Sequence, residues 1–432
     1  MENEQYDLNE EPNKKSHGGM MVFLGILLGI LLTFFLLYML YFAFRLKGID
    51  LFGTLSKITG NTSSTDSELL SDSVVQKLQG LEQAIDTYYY KTDVDKSEEA
   101  DGLYKGLLDS LGDPYSVYYT EEEYQELVSD TEGTYSGIGA YVSMDNDIEM
   151  PRISGFIEGS PAEEAGVQVD DIIYEVEGES TQGLELSVVV SKIKGEEGTT
   201  VHIKFYRQST GEYPEFDIER KTIESPTVST EMKDNNIGYL RITEFDTVTY
   251  DQFVEGYTDL QEQGMEALIL DLRSNPGGSL SVVCDIARQL LPEGTIVYTV
   301  DREGNREDYE CDGKNEIQIP VVVLVNGYSA SASEILSGAL KDYNKATLIG
   351  TTTYGKGVVQ RIFNFTDGTA IKLTISNYYT PNGNDIHGVG IDPDVEIEFD
   401  ADAYAEDKTD NQLDKAVEVL KEAIEDLEEK AG

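Results

Sequence analysis

Residues 321–343 read VVVLVNGYSASASEILSGALKDY. Val321 to Val325 is aliphatic without a polar break, the composition of a strand buried on both faces. Asn326-Gly327 is a turn pair. A helix is expected from about Ala332, with Leu336 and Leu340 four apart and facing a core. Ser331 therefore falls at a strand-to-helix corner. Its hydroxyl is exposed there, and the following N–H, that of Ala332, points outward where it can stabilise an oxyanion. Ser329, Ser331 and Ser333 equally suit helix N-caps, a common use of serine.

Downstream, Lys356 lies between Gly355 and Gly357 and is backed by Val358 and Val359. Most lysines are solvated surface charges. A lysine in an apolar pocket has a lowered pKa, so its neutral amine can take a proton from serine. Serine–lysine pairs are a variant of triad logic. Gln360, four residues on, is the nearest polar group to aim the amine. Gly350 to Lys356 also fits GxxxxGK, but Gly357 follows where Ser or Thr should hold magnesium. The next residues, VVQRIFNF, favour a strand, whereas a phosphate loop must open a helix.

The chain around this segment has 432 residues, enough for several domains. Its charge is 32 − 82 = −50, which argues against nucleic acid and against docking to anionic lipid by charge. A hydrophobic share of 40% still supports real cores. Cys284 and Cys311 are too few for a disulfide framework or a thiolate zinc cluster. One bridge between them or two core thiols are both compatible with the sequence. There is no HExxH, CxxC or GxSxG pattern, and no metal or cofactor is expected. Of His17, His202 and His387, only His387 lies where it could join the α/β part, so a histidine triad is poorly supported.

The fold class expected is α+β and multidomain. Residues 1–17 form a polar tail. Residues 18–44, GGMMVFLGILLGILLTFFLLYMLYFAF, carry no charge and exceed the ~20 apolar residues needed to cross a bilayer, so an uncleaved single-pass transmembrane helix is expected. Lys14 and Lys15 before it and Arg45 and Lys47 after it leave the orientation a tie. A linker, 45–66, precedes a helical region, 67–130, in which Val74, Leu78, Leu81 and Ile85 recur as one buried face requires. Short alternating runs then mark a β-rich module over 131–210. Strand-like IGYLRI, ALILDL, VVVLV and ATLIG alternate with helices over 211–400, an α/β layer architecture. The acidic segment 401–432 carries an amphipathic helix with the stripe Leu413, Val417, Leu420, Ile424 and Leu427.

Several motifs in one order resemble the carboxy-terminal processing peptidases, tail-specific serine proteases with a Ser-Lys dyad. YSASASEILSGALKDYNKATLIGTTTYGKGVVQ resembles their nucleophile and lysine segments, with the same spacing of 25 (356 − 331). LGDPYS, DLRSNPGG and LTISNYYTPNGNDIHGVGIDPD are similar too. The resemblance implies Ser331 as nucleophile, Lys356 as general base and Gln360 as the group that orients it. It implies an oxyanion hole from the N–H groups of Ala332 and Gly277 or Gly278, with Asp342 in a supporting role. The β-rich module resembles the PDZ domain of these proteases through YSGIGA, GSPAEEAG and VDDIIYEVEG, although Gln168 stands where a basic residue is usual. Ser136, Gly137, Ile138, Gly139 and Ala140 would form its carboxylate loop, and the strand from Ala140 would pair with the substrate.

The family likeness implies a bacterial serine endopeptidase acting through an acyl-enzyme on flexible C-termini of exported or membrane proteins. It also implies residence in the cell membrane, with residues 1–17 cytoplasmic and the catalytic region extracytoplasmic. Self-association is left open. Two rival readings are a membrane-anchored PDZ scaffold with an inert protease domain, and a nucleotide hydrolase using Gly350 to Lys356.

Overall fold

A computed structural model of the chain describes residues 68–145 and 148–431. The chain divides into two units, Met1–Val94 and Asp95–Gly432. The described part of the first is a 3-10 turn, Glu68–Leu70, and helix α1, Asp72–Tyr88. The stripe of Val74, Leu78, Leu81 and Ile85 does lie on a helix. The expected buried face does not hold, because no residue of α1 is buried.

The membrane-crossing helix expected at 18–44 lies outside the described residues. Among the described residues no helix is long and apolar enough to cross a membrane. The longest, Asn411–Ala431, has 21 residues but carries acidic and basic side chains along its length. The expected fold with a transmembrane helix and the single-pass membrane location are therefore corrected to a mixed α/β, multidomain fold with no spanning helix among the described residues.

The second unit opens with α2 (Lys96–Asp109), β1 (Val117–Tyr119) and α3 (Glu121–Glu132). α3 starts where its sequence says it should. The Thr120 hydroxyl accepts the Glu123 N–H, and the Glu123 carboxylate accepts the Thr120 N–H, a reciprocal cap.

A β-rich module follows: β2 (Thr134–Gly137), β3 (Ala140–Asp145), β4 (Met150–Phe156), α4 (Pro161–Ala165), β5 (Ile172–Val176), β6 (Glu179–Ser180), α5 (Leu186–Ile193), β7 (Thr200–Tyr206), β8 (Glu215–Glu219) and β9 (Lys221–Glu224). β3, β4, β5, β7 and β8 form one sheet in that order, with β6 on β5. Its inward residues, among them Ile153, Ile173, Val201, Ile203 and Phe205, close a core of their own with Val189 and Ile193 of α5. The antiparallel ribbon of β2 and β9 joins the module to the rest.

The remaining chain builds two sheets from β10 (Val228–Lys233), β11 (Ile237–Ile242), α6 (Thr249–Glu262), β12 (Ala267–Asp271), α7 (Leu280–Ala287), β13 (Glu293–Asp301), β14 (Arg306–Asp312), β15 (Val321–Val325), α8 (Ala332–Asp342), β16 (Thr347–Gly350), β17 (Val358–Asn364), β18 (Ala370–Tyr379), β19 (Val395–Glu396), α9 (Ala401–Asp407) and α10 (Asn411–Ala431). One sheet runs β10-β11-β12-β15-β16-β19, parallel except for β10. The aliphatic run of β15 splits by strand alternation. Val321, Val323 and Val325 enter the core beneath α7 and α8. Val322 and Leu324 enter a second core against α10. Of the α10 stripe, Leu420 is buried and Leu413, Val417 and Ile424 pack on that core, while Leu427 is half exposed.

The second sheet runs β1-β18-β13-β14, with β17 also on β18. Cys284 and Cys311 are both buried and free. Burial pushes the Cys284 thiol up to about 12.

Candidate active site

Ser331 sits between β15 and α8, as the aliphatic run and the leucine spacing require. Its backbone, φ 54° and ψ −111°, is not the extended conformation of an ordinary N-cap. A non-glycine residue held there is strained and persists only where its surroundings fix it. Those surroundings are unusual. Glu334, fully buried, accepts the Thr353 hydroxyl (2.6 Å) and the Gly355 N–H (2.7 Å) on Oε1. On Oε2 it accepts the N–H groups of Ser331 (2.8 Å) and Lys356 (2.9 Å). A carboxylate excluded from water needs such donors. The Tyr378 hydroxyl, also buried, reaches the Lys356 carbonyl (2.5 Å) and the Ser331 carbonyl (3.1 Å).

The neighbouring serines are structural. Ser329 Oγ donates to the Leu272 carbonyl at 2.8 Å, and Ser333 Oγ donates to the Asn275 carbonyl at 3.0 Å. The capping reading thus gains no support from Ser331's backbone, and its neighbours are bonded to the loop after β12. That loop brings Gly277 beside the corner with φ 110°. A Cβ on Gly277 would lie 2.8 Å from Ser331 Cβ and 3.0 Å from Ala332 N. Only glycine fits this approach.

Gly277 itself donates its N–H to Asn275 Oδ1 at 2.8 Å. In this conformation that N–H is engaged within its own loop. The N–H groups of Gly278 and Ala332 carry no hydrogen bond among the described residues.

Ser331, Ala332, Lys356, Gln360, Gly277 and Gly278 line one cavity of about 430 Å³. Lys356 is half-buried and makes no salt bridge among the described residues. Its Nζ lies 4.7 Å from the Tyr115 ring centre. Burial lowers its pKa, and the charge of Lys372 lowers it further. Asp113 and Glu334 act in the opposite direction. No hydrogen bond joins Lys356 Nζ to Ser331 Oγ or to Gln360. Gln360 Nε2 instead donates to the Thr374 hydroxyl (3.3 Å) and the Val358 carbonyl (3.4 Å).

The turn 111–116 supplies Tyr115. Ser116 donates to Asp113 Oδ2 (2.5 Å) and accepts the Thr374 N–H (3.1 Å), which docks the turn on β18. Burial works to raise the Asp113 carboxyl, but hydrogen bonds from Ser116, Thr374 and Tyr115 leave it lowered.

Other sequence candidates lie elsewhere. Asp342 accepts the Asn382 N–H at an exposed loop. His387 is exposed, and its Nδ1 accepts the Gly357 N–H at 3.4 Å. His202 pairs with Asp217 on the β-rich module. After Lys356 the chain enters β17, not a helix, so Gly350 to Lys356 lacks the helix N-terminus that a phosphate loop needs.

In the β-rich module, Ser136 and Gly137 are paired in β2 with Thr222 and Lys221. The turn proper is Ile138-Gly139, whose carbonyls accept the N–H groups of Ala162 and Ile157. Their own N–H groups carry no hydrogen bond among the described residues. Ser136 Oγ and Ser160 Oγ are buried without hydrogen-bond partners among the described residues. Ala140 opens β3, a terminal strand of its sheet. These donors beside a free edge suit a chain terminus.

Glu334, Tyr378, Tyr115 and Lys372 were not singled out by sequence reasoning. Glu334 had a signal, because Ser331-Ala-Ser-Glu334 is a capping-box spacing. The others come together only in the fold.

Comparison with known proteins gives the family. A family model described as peptidase family S41 matches residues 236–397, and one described as a PDZ domain matches 152–207. A model described as the activating protease CtpB N-terminal domain matches 46–123. The chain is 37% identical over 338 residues to a carboxyl-terminal-processing protease of Synechocystis sp., covering 77% of this chain and 79% of that one. It is 38% identical over 346 residues to the carboxy-terminal processing protease CtpA of Bacillus subtilis, covering 79% and 73%. CtpB of the same organism is 34% identical over 340 residues, covering 78% and 70%.

Proposed function

We infer, for a chain that belongs to the S41 serine peptidases and within them to the PDZ-containing carboxyl-terminal processing proteases, that peptide bonds are cut by Ser331 with neutral Lys356 as its base. The observation that carries this is the shared anchoring of the two residues on Glu334 and Tyr378, together with a lysine in the same cavity that lacks a carboxylate partner.

The Lys356 amine takes the Ser331 Oγ proton as Oγ bonds to the scissile carbonyl carbon. The carbonyl oxygen becomes an oxyanion facing the N–H groups of Ala332 and Gly278. Collapse breaks the C–N bond, and the Lys356 ammonium gives its proton to the leaving amine. Water then attacks the acyl-enzyme carbonyl carbon, losing a proton to Lys356; collapse breaks the C–Oγ bond, Ser331 Oγ takes that proton from the Lys356 ammonium, and the new carboxyl terminus departs. Gln360 is assigned the role of holding the amine through Oε1, which accepts no hydrogen bond among the described residues while Nε2 is engaged.

Residues 131–210 are assigned to capture and 211–400 to cutting. The Ile138 and Gly139 N–H groups receive the substrate's terminal carboxylate, and its last residues extend the sheet at β3. Flexible protein C-termini are the substrate class.

The test incubates the full chain and its Ser331→Ala and Lys356→Arg variants with an unfolded protein bearing a free carboxy terminus. Cleavage by the parent and none by either variant is expected, because guanidinium stays protonated. Cleavage by Lys356→Arg would remove the lysine from the base role.

A further inference from the structure

We propose that Lys372 is a positioning residue for this reaction, its fixed positive charge in the Ser331 cavity keeping the Lys356 amine from holding its own proton. The inference rests on Lys356 as the base.

In a chain with 82 acidic and 32 basic residues, lysines readily find carboxylates. Lys341 pairs with Asp394 and Lys345 with Glu316. Lys356 and Lys372 have no such pair among the described residues, yet both line the same cavity. Each is perched on a tyrosine of one short segment. Lys356 Nζ lies 4.7 Å from the Tyr115 ring centre, and Lys372 Nζ lies 5.3 Å from that of Tyr119. Lys372 is opposite Ile362 across the β17–β18 ladder, and Ile362 lines the cavity beside Gln360.

The charged groups around the Lys356 amine come from several elements. Asp113 and Tyr115 belong to the turn before β1, Glu334 to α8 and Lys372 to β18. Asp130 of α3 and Glu244 and Asp246 of the loop after β11 line the cavity too. The two nearer carboxylates are already committed. Asp113 accepts from Ser116 and Tyr115, and Glu334 accepts from Thr353, Gly355, Ser331 and Lys356 backbone or hydroxyl groups. Among the described residues lining this cavity Lys372 is the one cation beside Lys356, with His387 outside it on the Gly357 N–H, and like charges in a shared low-dielectric space disfavour double protonation. Lys356 is the amine that yields, because its flanking Gly355, Gly357 and Val358 are buried. The direction of its pKa, lowered by burial and then by Lys372, agrees. The same logic activates catalytic lysines beside a second cation elsewhere.

The test measures kcat/KM against pH for the full chain on an unstructured peptide with a free carboxy terminus, in the parent and in Lys372→Met and Lys372→Arg. The acid limb should move up by about one pH unit in Lys372→Met, with rates below the limb about tenfold lower. The rate should recover at high pH, and Lys372→Arg should keep the parent profile. Equal midpoints in all three proteins would overturn the proposal, as would a Lys372→Met loss that high pH does not restore. Lys356→Ala is run alongside. If it is inactive while the Lys372 variants share one midpoint, only this proposal fails. If it still cleaves, the base assignment fails with it.

Discussion

Ser331 and Lys356 are held by the same two side chains. Their N–H groups share Glu334 Oε2, at 2.8 and 2.9 Å, and their carbonyls share the Tyr378 hydroxyl, at 3.1 and 2.5 Å. A corner with a strained φ and a glycine-flanked loop are thereby locked in one relative position with no hydrogen bond between the Ser331 and Lys356 side chains. Preorganisation of this kind is what a proton transfer needs.

Glu334→Gln should break the lock. An amide presents two donors and only one acceptor where four donors converge, so buried N–H groups lose their partners. Cleavage should fall by at least about a hundredfold, and the melting temperature should drop. Binding of a carboxy-terminal peptide to the PDZ domain should be retained. A variant with parental turnover would show that the hub is dispensable.

Gly277→Ala places a methyl 2.8 Å from Ser331 Cβ, at a φ that L-residues avoid. The expected outcome is a loss of kcat of roughly tenfold or more with KM little changed, since a displacement of about 1 Å is costly in a preorganised site. Steady-state kinetics on the peptide substrate measure it.

Much of this architecture was legible. Five unbroken aliphatics announced β15 as a strand buried on both faces, and the Asn326-Gly327 turn with the leucine spacing announced the corner at Ser331 before α8. The β-rich module showed through its short alternating strands, and its likeness to a PDZ domain through YSGIGA, GSPAEEAG and VDDIIYEVEG. The buried face of α1 was misjudged because helical spacing reports periodicity, not what covers the stripe. The choice between the Gly277 and Gly278 N–H groups was not legible, because sequence does not show Asn275 Oδ1 taking the Gly277 N–H. Tyr378 and Lys372 were invisible since β18 reaches the site only after the second sheet folds over the first.

Asp246 gives the protein a distinctive pH response. Burial, with the neighbouring Glu244 and Asp130, raises its carboxyl from 3.8 to about 7. The folded state therefore binds a proton that the unfolded state releases, so stability should fall as pH rises from about 4 to 7. Asp246→Asn should flatten this dependence and raise the melting temperature above the parent's at pH 8. Thermal unfolding across that range checks it, and a parent-like slope in the variant would exclude Asp246 as the source.

Arg273 ties the end of β12 to α10. It bonds Asp271 (2.6 Å), Asp410 (2.9 Å) and Gln412 (3.0 Å). Arg273→Met leaves Asp271, which is 1% exposed, without its cation and with only the Tyr239 hydroxyl and the residue-273 N–H as donors, a loss of about 3 kcal/mol for a broken buried pair. Amide exchange should accelerate through α10 before the rest of the domain. Arg273→Lys should not rescue it, because a point charge lacks the fork that spans three acceptors.

The most direct measurement follows covalent labelling of Ser331 by a serine-directed acylating agent, read by intact-protein mass spectrometry from neutral to alkaline pH. An unprotonated Lys356 amine driving the step predicts labelling that climbs through a single ionisation below the ordinary lysine value of 10.5 and vanishes in both Lys356→Ala and Lys356→Arg. Labelling that is flat with pH, or that survives in Lys356→Arg, would contradict it.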